Sequence, residues 1–197
     1  MGRISTMPEA LDLLRQEHAN IRTLLRTLEW QVAAFKNDSL PDYEVIRATL
    51  DYFRGFPDVC HHPKEDLIFA KLRERNPPAA EKIGDLRKAH EQLAARAREA
   101  AAGVRAVLDE AEVSRDAVVR WASGFIDQQR EHMRMEESTF FPAAERALTA
   151  KDWSDLAALM TRADDPLFGV QVSARFEQLR KMILAWQAQD EAASAEQ

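Results

Sequence analysis

The chain has 197 residues, of which 46% are apolar and 30% are charged, and its 33 acidic and 27 basic side chains give a net charge of −6. This length suits one domain with a small appendage, and the acidic balance excludes the basic footprint of a nucleic-acid-binding protein. No apolar run approaches the roughly 20 residues that a membrane span needs, and the N-terminus lacks the apolar core of a signal peptide. The single cysteine, Cys60, excludes an internal disulfide. We therefore expect a cytoplasmic protein with neither a nucleic-acid nor a membrane partner.

Apolar residues recur every three or four positions along four consecutive segments, which is the pattern of amphipathic helices. The periodic residues run from Leu11 to Val32, from Ile46 to Leu72, from Ile83 to Val107 and from Val118 to Phe140. Pro57 and Pro63 interrupt the second segment, so we expect a kink or irregular turn over residues 55–63. Because no stretch alternates like a strand, the sequence predicts an all-α fold: an up-down-up-down antiparallel four-helix bundle with additional C-terminal helices.

The chain beyond Pro142 carries a different pattern of apolar residues. Residues 153–160 predict a short helix, residues 164–166 predict a break, and a second apolar seam extends from Val172 to Trp186. We divide the chain into a bundle domain, residues 1–148, and a C-terminal helical extension, residues 149–197. The extension either packs on the bundle or forms the contact of a homodimer, since large exposed apolar seams are rare on monomers.

Four of the five histidines occupy seam positions, one on each predicted helix: His18, His61, His90 and His132. A lone histidine on an apolar face is usually a satisfied core residue, but four of them, one per helix, indicate a shared site. Glu65 and Glu136 each follow a histidine by four residues, which places each His/Glu pair on one helix face. The pattern is an internal repeat, because the two histidines of each half are separated by 43 residues in the first half and by 42 in the second.

Four imidazoles and two carboxylates inside a bundle suit two first-row transition metals, because imidazole binds Fe, Mn, Zn or Cu and a carboxylate can bridge two ions. One ion would be bound by His18 and His61 and the other by His90 and His132, with Glu65 and Glu136 as bridges. Each ion would be short of six ligands, which leaves room for a bridging oxo or hydroxo group and a small exogenous ligand. We expect two iron ions, although manganese and zinc also fit these donors. The alternative is a polar core network in which the two carboxylates hydrogen-bond to the histidines.

The residues beside the predicted ligands are assigned other roles. His62 points about 100° away from His61 on an ideal helix, so we expect it behind the ligands or at the surface. We interpret Cys60 as a small buried apolar residue, with a redox role as the lesser alternative. Ala94 stands one turn after His90, so the third helix offers no second ligand.

Four stretches around these histidines resemble the hemerythrin-like HHE cation-binding domain: QEH ending at His18, HHPKEDLIF from His61, KAHEQL around His90 and EHMRMEESTFFP around His132. The resemblance covers roughly residues 8–148, and DDPLFG at residues 164–169 is similar to the tail of many bacterial HHE proteins. It implies a four-helix bundle with an oxo-bridged, carboxylate-bridged di-iron centre. The ligands that it implies are the same six residues: His18, His61, Glu65, His90, His132 and Glu136.

Two features distinguish the chain from the hemerythrin oxygen carriers. The carriers have a further histidine where this chain has Ala94, and an aspartate ligand in the last helix, where this chain has the His132/Glu136 pair. Both features make it similar to bacterial proteins that repair iron centres after nitrosative or oxidative stress. The incompletely coordinated pair of ions between the helices leads us to expect a di-iron protein that binds, senses or detoxifies O2, NO or peroxide. The alternatives are a redox or iron-centre repair enzyme and an iron storage or delivery protein, so enzymatic activity is left open.

Overall fold

The computed structural model describes residues 9–37, 39–109, 114–160 and 164–195, which are predominantly helical and contain no strand. The α-helices of these ranges are α1 (Glu9–Lys36), α2 (Tyr43–Phe53), α3 (His62–Arg75), α4 (Pro77–Ile83), α5 (Leu86–Leu108), α6 (Arg115–Met135), α7 (Phe141–Ala147), α8 (Ala150–Leu159) and α9 (Glu177–Ala195). None of them combines the length and the apolar character that crossing a bilayer requires. The prediction of an all-α fold is confirmed, whereas the up-down-up-down arrangement of four helices remains a prediction.

The second predicted helix is interrupted where its prolines lie. α2 ends at Phe53, a π-helical turn spans Pro57–His61, and α3 begins at His62. The backbone N–H of His62 donates to the carbonyl of Pro57, five residues earlier, which is the wide spacing of a π-helix. The irregular turn expected over residues 55–63 is therefore confirmed. A second π-helical turn, Glu136–Phe140, follows α6.

A short helix, α4, precedes the third long helix, and the sequence pattern does not predict it. The pattern assigns Ile83 to the third long helix, which is wrong because Gly84 ends α4 with a φ of +85°, a left-handed conformation that favours glycine. Asp85 then caps α5, since its side chain accepts the backbone N–H of Lys88. The chain thus changes direction before Leu86, and Ile83 lies at the end of α4.

The helix predicted over residues 153–160 is present as α8, and it begins earlier because Thr149 and Asp152 form a capping box. Asp152 also accepts hydrogen bonds from Arg75 of α3, at 3.0 Å from Nε and 2.7 Å from Nη2. Hydrogen bonds from Arg75 and Thr149 hold the pKa of Asp152 well below its usual value. This carboxylate therefore caps α8 and ties it to α3.

The second apolar seam is buried against its own chain. Phe176, Leu179 and Ile183 lie in the same apolar cluster as residues of α1 and α2. Before the seam, the Tyr52 hydroxyl of α2 donates to Asp165 Oδ2 at 2.9 Å. The extension is thus attached to the bundle through both apolar and polar contacts, while its proposed boundary at residue 148 remains a prediction.

Two apolar clusters form the core, and a band of buried polar side chains lies between them. On α1, Leu14 belongs to one cluster and Ile21 to the other, with the buried His18 between them. On α5, the buried His90 likewise lies between Leu86, which belongs to the same cluster as Leu14, and later residues of α5, which belong to the same cluster as Ile21. The polar band is therefore enclosed by apolar packing at both ends.

Two helical glycines provide a matched test of the packing between α5 and α6. A methyl group on Gly103 would lie 2.1 Å from the Trp121 ring, whereas one on Gly124 would meet no atom within 4 Å. We expect Gly103→Ala to lower the free energy of unfolding by about 1–3 kcal/mol, because overpacking outweighs the helix propensity of alanine. Gly124→Ala should raise it by about 0.5–1 kcal/mol. Urea unfolding monitored by circular dichroism measures both, and equal effects would contradict the described packing.

Candidate metal centre

The structure brings the six predicted ligands together in one buried cluster. His18 comes from α1, His61 from the first π-helical turn, Glu65 from α3, His90 from α5, His132 from α6 and Glu136 from the second π-helical turn. Each of the six is at most 8% exposed. The cluster therefore depends on the packing of four long helical segments against one another.

Glu65 faces histidines on two sides of the cluster. Its Oε1 lies 3.4 Å from His61 Nε2 and 3.5 Å from His18 Nε2. Its Oε2 lies 3.4 Å from His90 Nε2. One carboxylate oxygen is thus directed at each predicted pair of histidines.

Glu136 is placed in the same manner from the opposite half of the chain. Its Oε2 lies 3.3 Å from His18 Nε2, while its Oε1 lies 2.9 Å from His132 Nε2 and 3.5 Å from His90 Nε2. Both glutamates therefore extend between the two histidine pairs, which is the placement that a carboxylate needs to bridge two ions.

His62 is buried, so of its two expected positions, behind the ligands or at the surface, the surface position is wrong. It is 5% exposed, and its ring stacks on that of His90 with centroids 4.0 Å apart and planes 9° from parallel. Ligand atoms of His62, Glu65, His90 and His132 all lie within 4.8 Å of one another. Spacing along one helix places His62 off the face of His61, but it does not show that His90 of α5 packs against the His62 ring.

Four of the histidines bond to an outer carboxylate through Nδ1. The pairs are His18 with Glu137 at 2.9 Å, His61 with Glu17 at 2.8 Å, His62 with Asp58 at 3.2 Å and His90 with Asp66 at 3.2 Å. An ionised carboxylate only accepts hydrogen bonds, so Nδ1 carries the proton and Nε2 is directed into the cluster. Sequence spacing does not identify these carboxylates, although three of them adjoin a predicted ligand in the chain.

Two of the four outer carboxylates, Glu17 and Glu137, form ion pairs with basic side chains. Lys64, which is buried, forms an ion pair with Glu17 and lies 6.0 Å from the Phe56 ring. Arg22 donates to Glu137 from both terminal nitrogens, at 2.8 and 2.9 Å. These cations fix the carboxylates that orient the histidine rings.

The donor atoms inside the cluster fit a bound metal. Within the described ranges, no hydrogen-bond partner is present for Nε2 of His18, His62, His90 and His132 or for either carboxylate oxygen of Glu65 and Glu136. Leaving one buried polar atom unsatisfied costs about 1–3 kcal/mol, and a metal ion between these donor atoms would satisfy them. Imidazole nitrogen and carboxylate oxygen together are donors for first-row divalent and trivalent ions.

Without a metal, the cluster retains protons on two of its histidines. Burial opposes the charged form of His18, but contacts with the carboxylates of Glu136 and Glu137 raise the pKa of His18 to about 11. Burial likewise opposes the charged form of His90, but contacts with Asp66 and Glu136 raise its pKa to about 11.

The histidines lower the pKa values of the two inner carboxylates. Burial would raise the pKa of Glu65, but the nearby His61 and His18 lower it well below its usual value. Burial and the charge of Glu65 would raise the pKa of Glu136, but contacts with its histidine neighbours lower it to about 2. His62 differs, because burial lowers its pKa to about 4 and leaves the ring neutral.

A buried cluster of imidazole and carboxylate groups, supplied by several helices, defines a helical cation-binding protein. The model of the hemerythrin HHE cation binding domain matches residues 9–144, a range that includes all six predicted ligands. The chain therefore belongs to the hemerythrin HHE family, and the resemblance noted in the sequence is confirmed. Searches of curated proteins and of solved structures give no significant match.

The two raised histidine pKa values predict how the stability of the metal-free protein depends on pH. His18 and His90 have folded pKa values of about 11 against 6.5 in the unfolded chain, so their contribution is complete below about pH 6.5 and is lost as the pH rises towards 11. We expect the urea midpoint of metal-free protein to fall between about pH 6.5 and pH 9. Metal binding must displace these protons, so the apparent metal affinity should rise over the same range. A urea midpoint that rises in the metal-free protein would contradict the assignment.

Proposed function

We propose that this chain binds two iron ions in the cluster. His18 and His61 would hold one ion, His90 and His132 the other, and Glu65 and Glu136 would bridge them together with an oxo or hydroxo group. The single observation that carries this proposal is the placement of the two carboxylates. Each glutamate has one carboxylate oxygen next to His18 and the other next to His90. One central ion would not require two carboxylates that both extend from one histidine pair to the other.

The choice of iron rests on the donor set. Mixed imidazole and carboxylate ligation suits iron, and it also suits manganese and zinc, whereas calcium and magnesium prefer oxygen ligands alone. Cys60 lies next to His61 in the chain, but it is absent from the groups of possible metal ligands within the described part of the protein. We therefore propose nitrogen and oxygen ligation without sulfur.

We further propose that the centre binds a small molecule such as O2, NO or peroxide. Iron would supply redox-active ions with coordination positions that a small molecule can enter. The apolar clusters on both sides of the site exclude bulk water and large substrates. A surface depression of about 270 Å³, lined by His62, His90 and Ala94, gives a short route to one side of the site. This setting favours a diatomic or peroxide ligand.

The residues of the chain itself would prepare the histidines for ligation. Glu17, Asp66 and Glu137 hold a proton at Nδ1 of their histidine partners and leave Nε2 to face the inner carboxylates. Hydrogen bonding at Nδ1 fixes the tautomer and the ring orientation, and it strengthens Nε2 as a ligand. Substitution of such a partner typically weakens metal binding by about 10–100-fold.

The proposal does not include a homodimer through the C-terminal helices. Phe176, Leu179 and Ile183, which would form its contact, are buried against α1 and α2 of the same chain. Val172 and Trp186, the other residues named for this seam, are partly buried against the same cluster.

Removal of both bridging carboxylates tests the ligand assignment. We expect Glu65→Ala combined with Glu136→Ala to lose both ions, because each ion would lose two ligands, and the volume-conserving double glutamine variant should lose them too. The matched control is Glu74→Ala with Glu131→Ala, which removes two exposed carboxylates from α3 and α6. Iron per chain is measured after anaerobic loading, and circular dichroism checks the helical content. Two retained iron equivalents in the double variant would contradict the assignment.

The absorption spectrum of the iron-loaded protein tests whether O2, NO or peroxide binds at the centre. We expect charge-transfer bands of a bridged ferric pair that change on exposure to O2, NO or peroxide. One stoichiometric change indicates binding or sensing, whereas repeated cycles with excess reductant and peroxide or NO indicate an enzyme. An absorption spectrum that none of the three molecules changes would contradict the proposed function and would leave iron storage or delivery as the alternative.

A further inference from the structure

His62 has the features of a metal ligand, although neither the spacing nor the ligand set proposed above includes it. The ring is 5% exposed, and its Nδ1 bonds to Asp58 Oδ1 at 3.2 Å. Its Nε2 is buried and has no hydrogen-bond partner within the described ranges. A neutral imidazole held in this way presents the Nε2 lone pair to a metal ion in the cluster.

The position of His62 assigns it to one side of the cluster. Its ring centroid lies 4.0 Å from that of His90 and 6.2 Å from that of His132. Its ligand atom lies within 4.8 Å of those of His90, His132 and Glu65. His18 and His61 form a separate group with Glu65, and His62 is not part of that group.

The small side chain of Ala94 explains why a histidine from another element fits beside His90. Ala94 lies one helical turn after His90 on α5, and a methyl group there cannot bind a metal. Ala94, His62 and His90 line the same depression, so a larger side chain at position 94 would compete with the His62 ring for space. α3 therefore supplies at this point an imidazole that α5 does not.

We propose that His62 Nε2 is a third histidine ligand of the ion held by His90 and His132. This inference rests on the two-ion site proposed above and makes that site asymmetric, with three histidines at one ion and two at the other. The two ions therefore bind with different affinities, and Asp58 orients His62 as Asp66 orients His90. A purely structural role for His62 would leave its buried Nε2 without a partner, at a cost of about 1–3 kcal/mol.

The decisive variant is His62→Phe, which keeps an aromatic ring stacked on His90 but removes the ligand nitrogen. The probe is Co²⁺, titrated into metal-free protein and followed by its visible ligand-field spectrum. We expect the wild type to bind two ions, and His62→Phe to bind one ion unchanged and the second at least tenfold more weakly, with an altered spectrum for that ion. His62→Gln provides the same test with a smaller polar side chain if the phenylalanine variant unfolds.

Chemical rescue separates ligation from packing. In His62→Gly, added imidazole should restore the second ion and its spectrum, whereas imidazole should have no such effect on the wild type. Wild-type affinity and spectrum for both ions in His62→Phe and His62→Gln would overturn the inference. If those variants keep both ions while the Glu65/Glu136 double variant loses both, only the role of His62 fails. If the double variant also keeps both ions, the assignment of Glu65 and Glu136 as bridging ligands in the proposed function fails.

Discussion

The structure depends on the burial of two carboxylates, Glu65 and Glu136, between two apolar clusters. Both side chains are fully buried, and none of their oxygens has a hydrogen-bond partner in the described part of the chain. An ionised carboxylate in such surroundings costs several kcal/mol unless a positive charge lies close to it. That charge is supplied either by protons on His18 and His90 or by metal ions. The buried carboxylates therefore make the cluster suited to a bound cation.

The rest of the fold arranges positive charge around these two groups. His61 is the last residue of one π-helical turn and Glu136 is the first residue of the other. Outer carboxylates hold the histidine rings, and Lys64 and Arg22 hold two of those carboxylates in turn. From the inside outward, the centre thus consists of inner carboxylates, histidines, outer carboxylates and basic side chains. Such layers fix ring orientation before a metal arrives, which lowers the cost of assembling the site.

Periodicity predicts the long helices α1, α5 and α6 and six residues of the cluster, because apolar spacing and the four-residue His/Glu spacing both follow the α-helical repeat. It failed where the backbone departs from that repeat. The positive φ of Gly84 ends α4 just after Ile83, and the stacking of His62 on His90 comes from packing between two helices. Outer partners such as Glu17 come from neighbouring helices, and tertiary packing alone decides which histidine each carboxylate reaches. Spacing along one chain segment carries no information about those pairs.

The most direct test of the account is the location of bound metal by anomalous diffraction from crystals of the iron-loaded protein. The account predicts two anomalous peaks between Glu65 and Glu136, one beside His18 and His61 and the other beside His90 and His132. A crystal structure of iron-treated protein with no peak in the cluster, and with both carboxylates hydrogen-bonded to the histidines, would contradict it.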